Sequence, residues 1–159
     1  MNELITAIEA MDPEVLGAAA ITSTVLILSV ALIALIRYLM MAIGYSKMYR
    51  KAGVAGWKAF IPVYNTYNNY KLSWTREMFV LATMLYIVLN SLRGAETLVP
   101  QLAAAAAGIT LIVVVVKQNM KMAKCFGKGA GTAIALIFFP GITSLVLGLG
   151  KAEYTAIAE

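Results

Sequence analysis

The sequence predicts an all-α integral membrane protein with four transmembrane helices and an interfacial or re-entrant cytoplasmic segment. Of its 159 residues, 61% are hydrophobic and only 13% are charged, against about 25% charged residues in an ordinary soluble domain. The mean hydropathy is +0.80. A bilayer core of about 30 Å selects long apolar stretches, and four windows carry no charged residue: 15–36, 78–92, 97–116 and 129–150.

The four windows extend into four predicted helices. The second window is the weakest, because its fifteen residues reach only about 22 Å as a helix; three spans with an interfacial second segment are the alternative. The first fourteen residues are acidic and lack Lys and Arg, so no cleavable signal is expected. The predicted segments are an acidic N-terminus at 1–14, helices at 15–44, 76–93, 97–126 and 129–150, a cytoplasmic interfacial loop at 45–75 and a tail at 151–159.

The distribution of Lys and Arg predicts the orientation. Basic residues in short loops mark the cytoplasmic side, and the loops after the first and third predicted helices hold most of them. Four spans in the inner or plasma membrane, with the N-terminus, the C-terminus and most acids extracytoplasmic, satisfy this rule. The net charge of +5 therefore favours an anionic inner leaflet as the partner and gives no indication of nucleic acid.

A basic stripe is predicted on the third helix. Its four lysines are separated by 4, 3 and 4 residues, which places them within about 60° of one helical face. A solvated or lipid-headgroup face is the favoured interpretation, at about 1 kcal/mol per charge near an anionic leaflet. Docking of an acidic cytoplasmic partner is the alternative. The stripe consists of Lys117, Lys121, Lys124 and Lys128, and it is expected to end at Gly127 and Gly129.

The loop after the first helix is rich in aromatic and asparagine residues. Trp57, Phe60, Ile61 and Tyr64 follow the spacing of one helical face, and Pro62 should break or kink the segment. Amphipathic rings favour the headgroup zone, so an aromatic belt is the first interpretation. A groove that binds a ligand or peptide is the second. The candidate surface consists of Trp57, Pro62, Tyr64, Asn65, Tyr67 and Asn68.

Two further patterns concern helix packing and an internal repeat. Ala104 and Gly108 form a small-xxx-small face in an alanine-rich stretch, which predicts close packing within the chain or against another subunit.

Residues 47–53 also match 121–127 at an offset of 74, and 60–62 match 138–140 at an offset of 78. Similar cytoplasmic helix ends would arise by convergence, which we favour over a true duplication.

Motifs in both basic loops resemble a family of small bacterial multi-pass membrane proteins of unknown function. The first loop reads K-A-G-x-x-G-W-x-A-x-I-P-x-Y-N-x-Y, and the second carries A-K-C-F-G-K, L-I-F-F-P and L-G-L-G. Similar modules precede the catalytic part of some proteins described as signal peptidase I. Such a peptidase needs an extracytoplasmic Ser/Lys pair, which is not expected here because Lys151 is the only lysine predicted on that side.

The residue inventory argues against most enzyme chemistry. The chain has no histidine, one cysteine and one aspartate, so it cannot supply a histidine triad, a His-ligated metal or a pair of membrane aspartates. No catalytic residue, metal site or cofactor is therefore expected. The favoured function is a non-enzymatic scaffold or accessory subunit that binds a membrane-protein partner or a second copy. The alternatives are a small channel or carrier gated by the Tyr/Asn loop, and a module that assists secretion or processing of exported proteins.

Overall fold

The computed structural model describes residues 12–156, and no strand occurs within that range. The all-α class is therefore confirmed for this part of the chain. The predictions for 1–11 and 157–159 lie outside the described residues. The helices are α1 (Pro13–Lys51), a 3₁₀ helix (Gly56–Phe60), α2 (Pro62–Ser73), α3 (Arg76–Ser91), α4 (Leu98–Cys125), α5 (Ala130–Phe138) and α6 (Pro140–Leu149).

Two helices in the described part of the chain, α1 and α4, are long and apolar enough to cross a membrane. They contain 39 and 28 residues, and in their most apolar stretches 0% and 11% of the residues are buried. A core helix of a soluble protein would bury such a surface, so the exposure of both helices fits a membrane location. Four transmembrane helices are not confirmed.

The chain divides after Tyr38 into two units. The first unit, as far as it is described, is the beginning of α1, and its large apolar side chains are exposed. Its hydroxyl groups bond to carbonyls of the same helix: Thr22 Oγ1 lies 2.8 Å from Ala18 O, and Thr24 Oγ1 lies 2.8 Å from Ala20 O. These polar groups are thus satisfied without a neighbouring helix.

In the second unit, α1 and α4 end in the same way. Each is followed two residues later by a glycine with positive φ, Gly53 at 71° and Gly127 at 64°, a conformation that glycine adopts without a steric penalty. The helix stop predicted near Gly127 is confirmed, and α1 extends to Lys51, beyond the predicted bound of 44. The matching backbone bonds are Gly53 N to Arg50 O (3.1 Å) and Gly127 N to Lys124 O (2.9 Å), then Val54 N to Tyr49 O (2.8 Å) and Lys128 N to Ala123 O (2.9 Å).

The helix predicted over 129–150 is interrupted before Pro140. The chain forms α5, breaks at Phe139, and begins α6 at Pro140, because proline lacks the N–H that a continuing helix requires. α5 leads away from the end of α4. α6 returns along α1, where Gly148 lies beside Gly44 and Met48. The segment is a helical hairpin whose two ends lie near each other.

The segment after α6 lies beside the loop that follows α1. Tyr154 Oη donates to Leu72 O at 2.7 Å, and Thr155 N donates to Cys125 O at 2.7 Å. A bilayer core of about 30 Å cannot separate groups in direct contact. The prediction that the loop 45–75 is cytoplasmic while the tail is extracytoplasmic is therefore wrong, because both lie at the same end of the helices.

Candidate functional site

A buried polar cluster joins the end of α1 to α2. Tyr49 has 0% of its surface exposed. Its hydroxyl oxygen lies 2.7 Å from Asn65 O, 2.5 Å from Asn65 Oδ1 and 2.9 Å from Asn69 Oδ1. The position of α2 makes this possible: Pro62 begins that helix, and the i, i+4 spacing places Asn65 and Asn69 on one face.

The cluster continues into α4. Ser73 Oγ donates to Asn69 O at 2.6 Å, and Gln118 Nε2 donates to Ser73 Oγ at 3.3 Å. Ser73 and Gln118 are both buried. In the range 12–156, every buried side-chain nitrogen or oxygen has a hydrogen-bond partner. Since unsatisfied buried polar groups are destabilising, these bonds hold α1, α2 and α4 together.

Replacing Tyr49 with phenylalanine is expected to destabilise the protein by about 1–3 kcal/mol, because the buried Asn65 and the half-buried Asn69 lose their shared partner. The measurement is the midpoint of thermal unfolding of the purified protein in detergent. Tyr64→Phe is the matched control, since Tyr64 lies next to Asn65 in α2 and is 47% exposed. Equal midpoints for the two variants would contradict the role assigned to the Tyr49 hydroxyl.

The structure separates the candidate residues of the Tyr/Asn loop into two sets. Asn65 and Asn68 are 5% and 2% exposed, and Asn68 Nδ2 donates to Tyr64 O at 2.6 Å. Trp57 and Tyr64 are exposed, with ring centroids 5.9 Å apart. The amides therefore face inward and these rings face outward, so the two kinds of side chain do not line one common groove.

The remaining loop residues have local roles. Tyr67 packs edge-on against Phe79 with ring centroids 5.4 Å apart, which links α2 to α3. Pro62 is exposed at the first turn of α2, where its missing N–H is tolerated. The break predicted at Pro62 is present, since the 3₁₀ helix ends at Phe60 and α2 begins at Pro62, so Trp57 and Tyr64 do not lie on one continuous helix.

The basic stripe is shorter than predicted. Lys117 and Lys124 are exposed on α4, and Lys121 Nζ lies 4.7 Å from the ring centroid of Trp74, a cation–π distance. Lys128 lies beyond the end of α4, because the helix stops at Cys125 and Gly127 reverses the backbone. Three lysines thus belong to the helical stripe, and the fourth follows the turn.

The small residues of α4 pack within the chain. A Cβ added to Gly108 would lie 3.6 Å from Leu89 Cδ1 of α3. Ala104, one turn earlier, is half-buried. This contact agrees with the first of the two interpretations of the small-xxx-small face, namely packing between helices of one chain.

Sequence reasoning missed the role of Lys51. Its ammonium group donates to the carbonyl oxygens of Leu147 (2.7 Å), Gly150 (2.6 Å) and Ala152 (2.8 Å). A cation at the C-terminal end of a helix binds unpaired carbonyls and opposes the negative end of the helix dipole. The sequence around the end of α1 shows Lys51 but not these partners, because they lie about a hundred positions away in the chain.

Tyr154 completes the attachment of the tail. Its ring packs edge-on against Phe126 at a centroid distance of 5.6 Å, and its hydroxyl donates to Leu72 O. Burial raises the pKa of the Tyr154 phenol, and the neighbouring Cys125 raises it further. The phenol therefore stays protonated and remains a hydrogen-bond donor.

The helix ends make reciprocal contacts that follow the two sequence offsets. Lys51 and Cys125, which are 74 positions apart, are the last residues of α1 and α4. Lys51 Nζ donates to Gly150 O at 2.6 Å, and Cys125 Sγ donates to Leu72 O at 3.6 Å; these two carbonyls are 78 positions apart. Each long helix thus contacts the end of the proline-initiated helix in the other half. These contacts thus occur at the same two offsets as the sequence match.

Together, fold and site define an all-helical protein with two helices long and apolar enough to cross a membrane, joined near their ends by a buried polar cluster. The chain belongs to the family of unknown function DUF5684, whose model matches residues 57–156. The matched range includes α2 to α6 and the three residues whose carbonyl oxygens bind Lys51. No curated protein and no solved structure matches the chain.

Proposed function

We propose that the protein is a non-enzymatic integral membrane protein that serves as a scaffold or accessory subunit of a membrane complex. The observation that carries the proposal is the contrast between interior and surface. The buried amides and hydroxyls at the helix ends bond to one another. The aromatic and basic side chains that remain exposed point outward, as an interaction surface requires.

A topology of three spans and one hairpin supports this proposal. If α1 and α4 both cross the bilayer with their basic ends inside, the chain must cross back between Lys51 and Leu98. α3 provides this crossing: its 16 residues reach about 24 Å, and its residue Leu89 packs against Gly108 of α4. The hairpin α5–α6 then begins and ends on the cytoplasmic side.

The charge distribution also supports this topology. The sequence places eleven of the thirteen basic residues on the cytoplasmic side, and a cytoplasmic tail adds Lys151, which leaves only Arg93 outside. The positive-inside rule is thus satisfied better by three spans than by four. The extracytoplasmic N-terminus stays a prediction.

Photo-crosslinking tests the scaffold role. A photoreactive residue placed singly at the exposed positions 117, 124 and 128 should give a discrete adduct in cells that express the full chain. The mass of the adduct distinguishes a second copy from another membrane protein. Failure to form an adduct at all three positions, together with a monomer in mild detergent, would remove the proposal.

The other two functions named from the sequence stay predictions. A gate made by the Tyr/Asn loop would require Asn65 to leave the buried Tyr49 hydroxyl. Ion or solute flux into liposomes that is lost on replacing Tyr64, Asn65 and Tyr67 would favour that channel or carrier. A role in protein export depends on the family resemblance, and unchanged processing of exported proteins after gene deletion would count against it.

A further inference from the structure

Exposed apolar side chains surround the break before α2. Trp57 is 56% exposed, Val63 is 68% exposed and Tyr64 is 47% exposed. The chain turns there, between the 3₁₀ helix and Pro62. Neighbouring apolar side chains left open in this way mark a surface that contacts another molecule or a lipid phase.

A second exposed apolar group lies at the corresponding break before α6. Phe138 is 68% exposed, Phe139 is 63% exposed and Ile142 is 57% exposed, beside Pro140. The two breaks correspond at the offset of 78 that also relates Leu72 to Gly150. The two halves of the chain therefore each carry an aromatic turn directly before a proline-initiated helix.

The charge of the segments that contain the two turns favours anionic lipid as the molecule that contacts them. The segments 45–75 and 117–140 contain lysines and arginines but no aspartate or glutamate. Anionic headgroups attract such segments, and tryptophan and tyrosine prefer the boundary between headgroups and acyl chains. An acidic protein would satisfy the charges but would leave the phenylalanines of the second turn without an apolar environment.

We propose that the two aromatic turns, 57–64 and 138–142, both insert into the cytoplasmic leaflet and anchor the helix ends in anionic lipid. This inference rests on the membrane location in the proposed function. α5 is nine residues long, or about 13 Å, which is less than half of the bilayer core of about 30 Å. The hairpin α5–α6 therefore enters one leaflet and returns.

Tryptophan fluorescence tests the insertion of each turn in the full-length protein. The chain has two tryptophans, so Trp74→Phe leaves Trp57 as the only probe of the first turn. Phe139→Trp in the Trp57→Phe/Trp74→Phe background probes the second turn. Glu153→Trp in that same background is the control in the exposed part of the tail. The proteins are placed in vesicles of phosphatidylcholine and phosphatidylglycerol that carry brominated acyl chains.

Insertion predicts that both turn probes emit at shorter wavelength than the control. Brominated lipid should quench each turn probe at least two-fold more than the control, and aqueous iodide should quench the control more strongly. If alkaline carbonate does not extract the protein but iodide quenches the turn probes as strongly as the control, the insertion of the turns is contradicted and the membrane location is not. Extraction of the protein by carbonate would overturn the proposed membrane function itself.

Discussion

A cysteine introduced at Glu153 is expected to react with a membrane-impermeant maleimide only after the cells are permeabilised. Glu153 lies in the tail that Lys51 and Leu72 hold beside the basic loops through Ala152 and Tyr154. The positive-inside rule predicts that those loops are cytoplasmic. A charged maleimide does not cross an apolar core of about 30 Å, so the expected effect is all-or-none.

Glu96→Cys is the matched control for this experiment. Glu96 is an exposed glutamate in the connection between α3 and α4, at the opposite end of those helices from the tail. It should be labelled in intact cells. The Cys125→Ser background removes the one native thiol, which is buried. Labelling of the Glu153→Cys variant in intact cells would instead place the tail outside and contradict the hairpin topology.

Replacing Gly148 with alanine is expected to destabilise the protein by about 1–3 kcal/mol through overpacking. An added Cβ would lie 2.6 Å from Gly44 O and 2.8 Å from Lys47 Cβ. Gly44 O is a backbone atom and Lys47 Cβ is bonded directly to the backbone of α1, so rotation of a side chain cannot relieve the clash. α6 approaches α1 closely at Gly148, and a shift there also disturbs the Leu147 carbonyl bound by Lys51.

The measurement is the midpoint of thermal unfolding in detergent, which should fall by roughly 2–12 °C for a chain of this length. Gly131→Ala is the control, because an added Cβ in α5 meets nothing within 4 Å. Alanine is also the better helix former, so this variant should unfold at the native temperature or slightly above it. An unfolding midpoint of the Gly148→Ala variant equal to that of the unmodified protein would contradict close packing of α6 on α1.

The paired helix ends suggest how the fold is built. Each half has a long helix, a glycine turn, a short helix and a proline-initiated helix, and each long helix contacts a carbonyl near the end of the proline-initiated helix of the other half. Such reciprocal contacts resemble those of an isologous dimer, in which each partner offers the other the same surface. The sequence match at two offsets is weak alone, but the hydrogen bonds follow the same two offsets.

Local features of the sequence predicted much of the fold. The apolar windows 15–36 and 97–116 predicted α1 and α4, since a run of that length and composition has few alternatives. Gly127 predicted the end of α4 because glycine tolerates positive φ, and Pro62 predicted a break in the loop because proline lacks an N–H. Each of these predictions depends on residues within one or two helical turns.

The candidate site was less predictable for the same reason. The sequence indicated that Asn65 and Asn68 matter, but alternating tyrosines and asparagines do not show which of them face inward. That outcome depends on Tyr49, sixteen positions before Asn65. The side of the tail was predicted wrongly because an uncharged window of 22 residues predicts one transmembrane span. The break at Phe139 instead allows α6 to run back toward the end of the helices where α5 begins.

The sequence by itself therefore determined the helical class, the two long apolar helices and the places where helices stop. Only the tertiary structure decided the course of 129–150, the side on which the tail lies, and the partners of Tyr49 and Lys51. The physical reason is the range of the interactions. Helix stops depend on neighbouring residues, whereas the bond from Lys51 to Gly150 joins groups 99 positions apart, which no local pattern specifies.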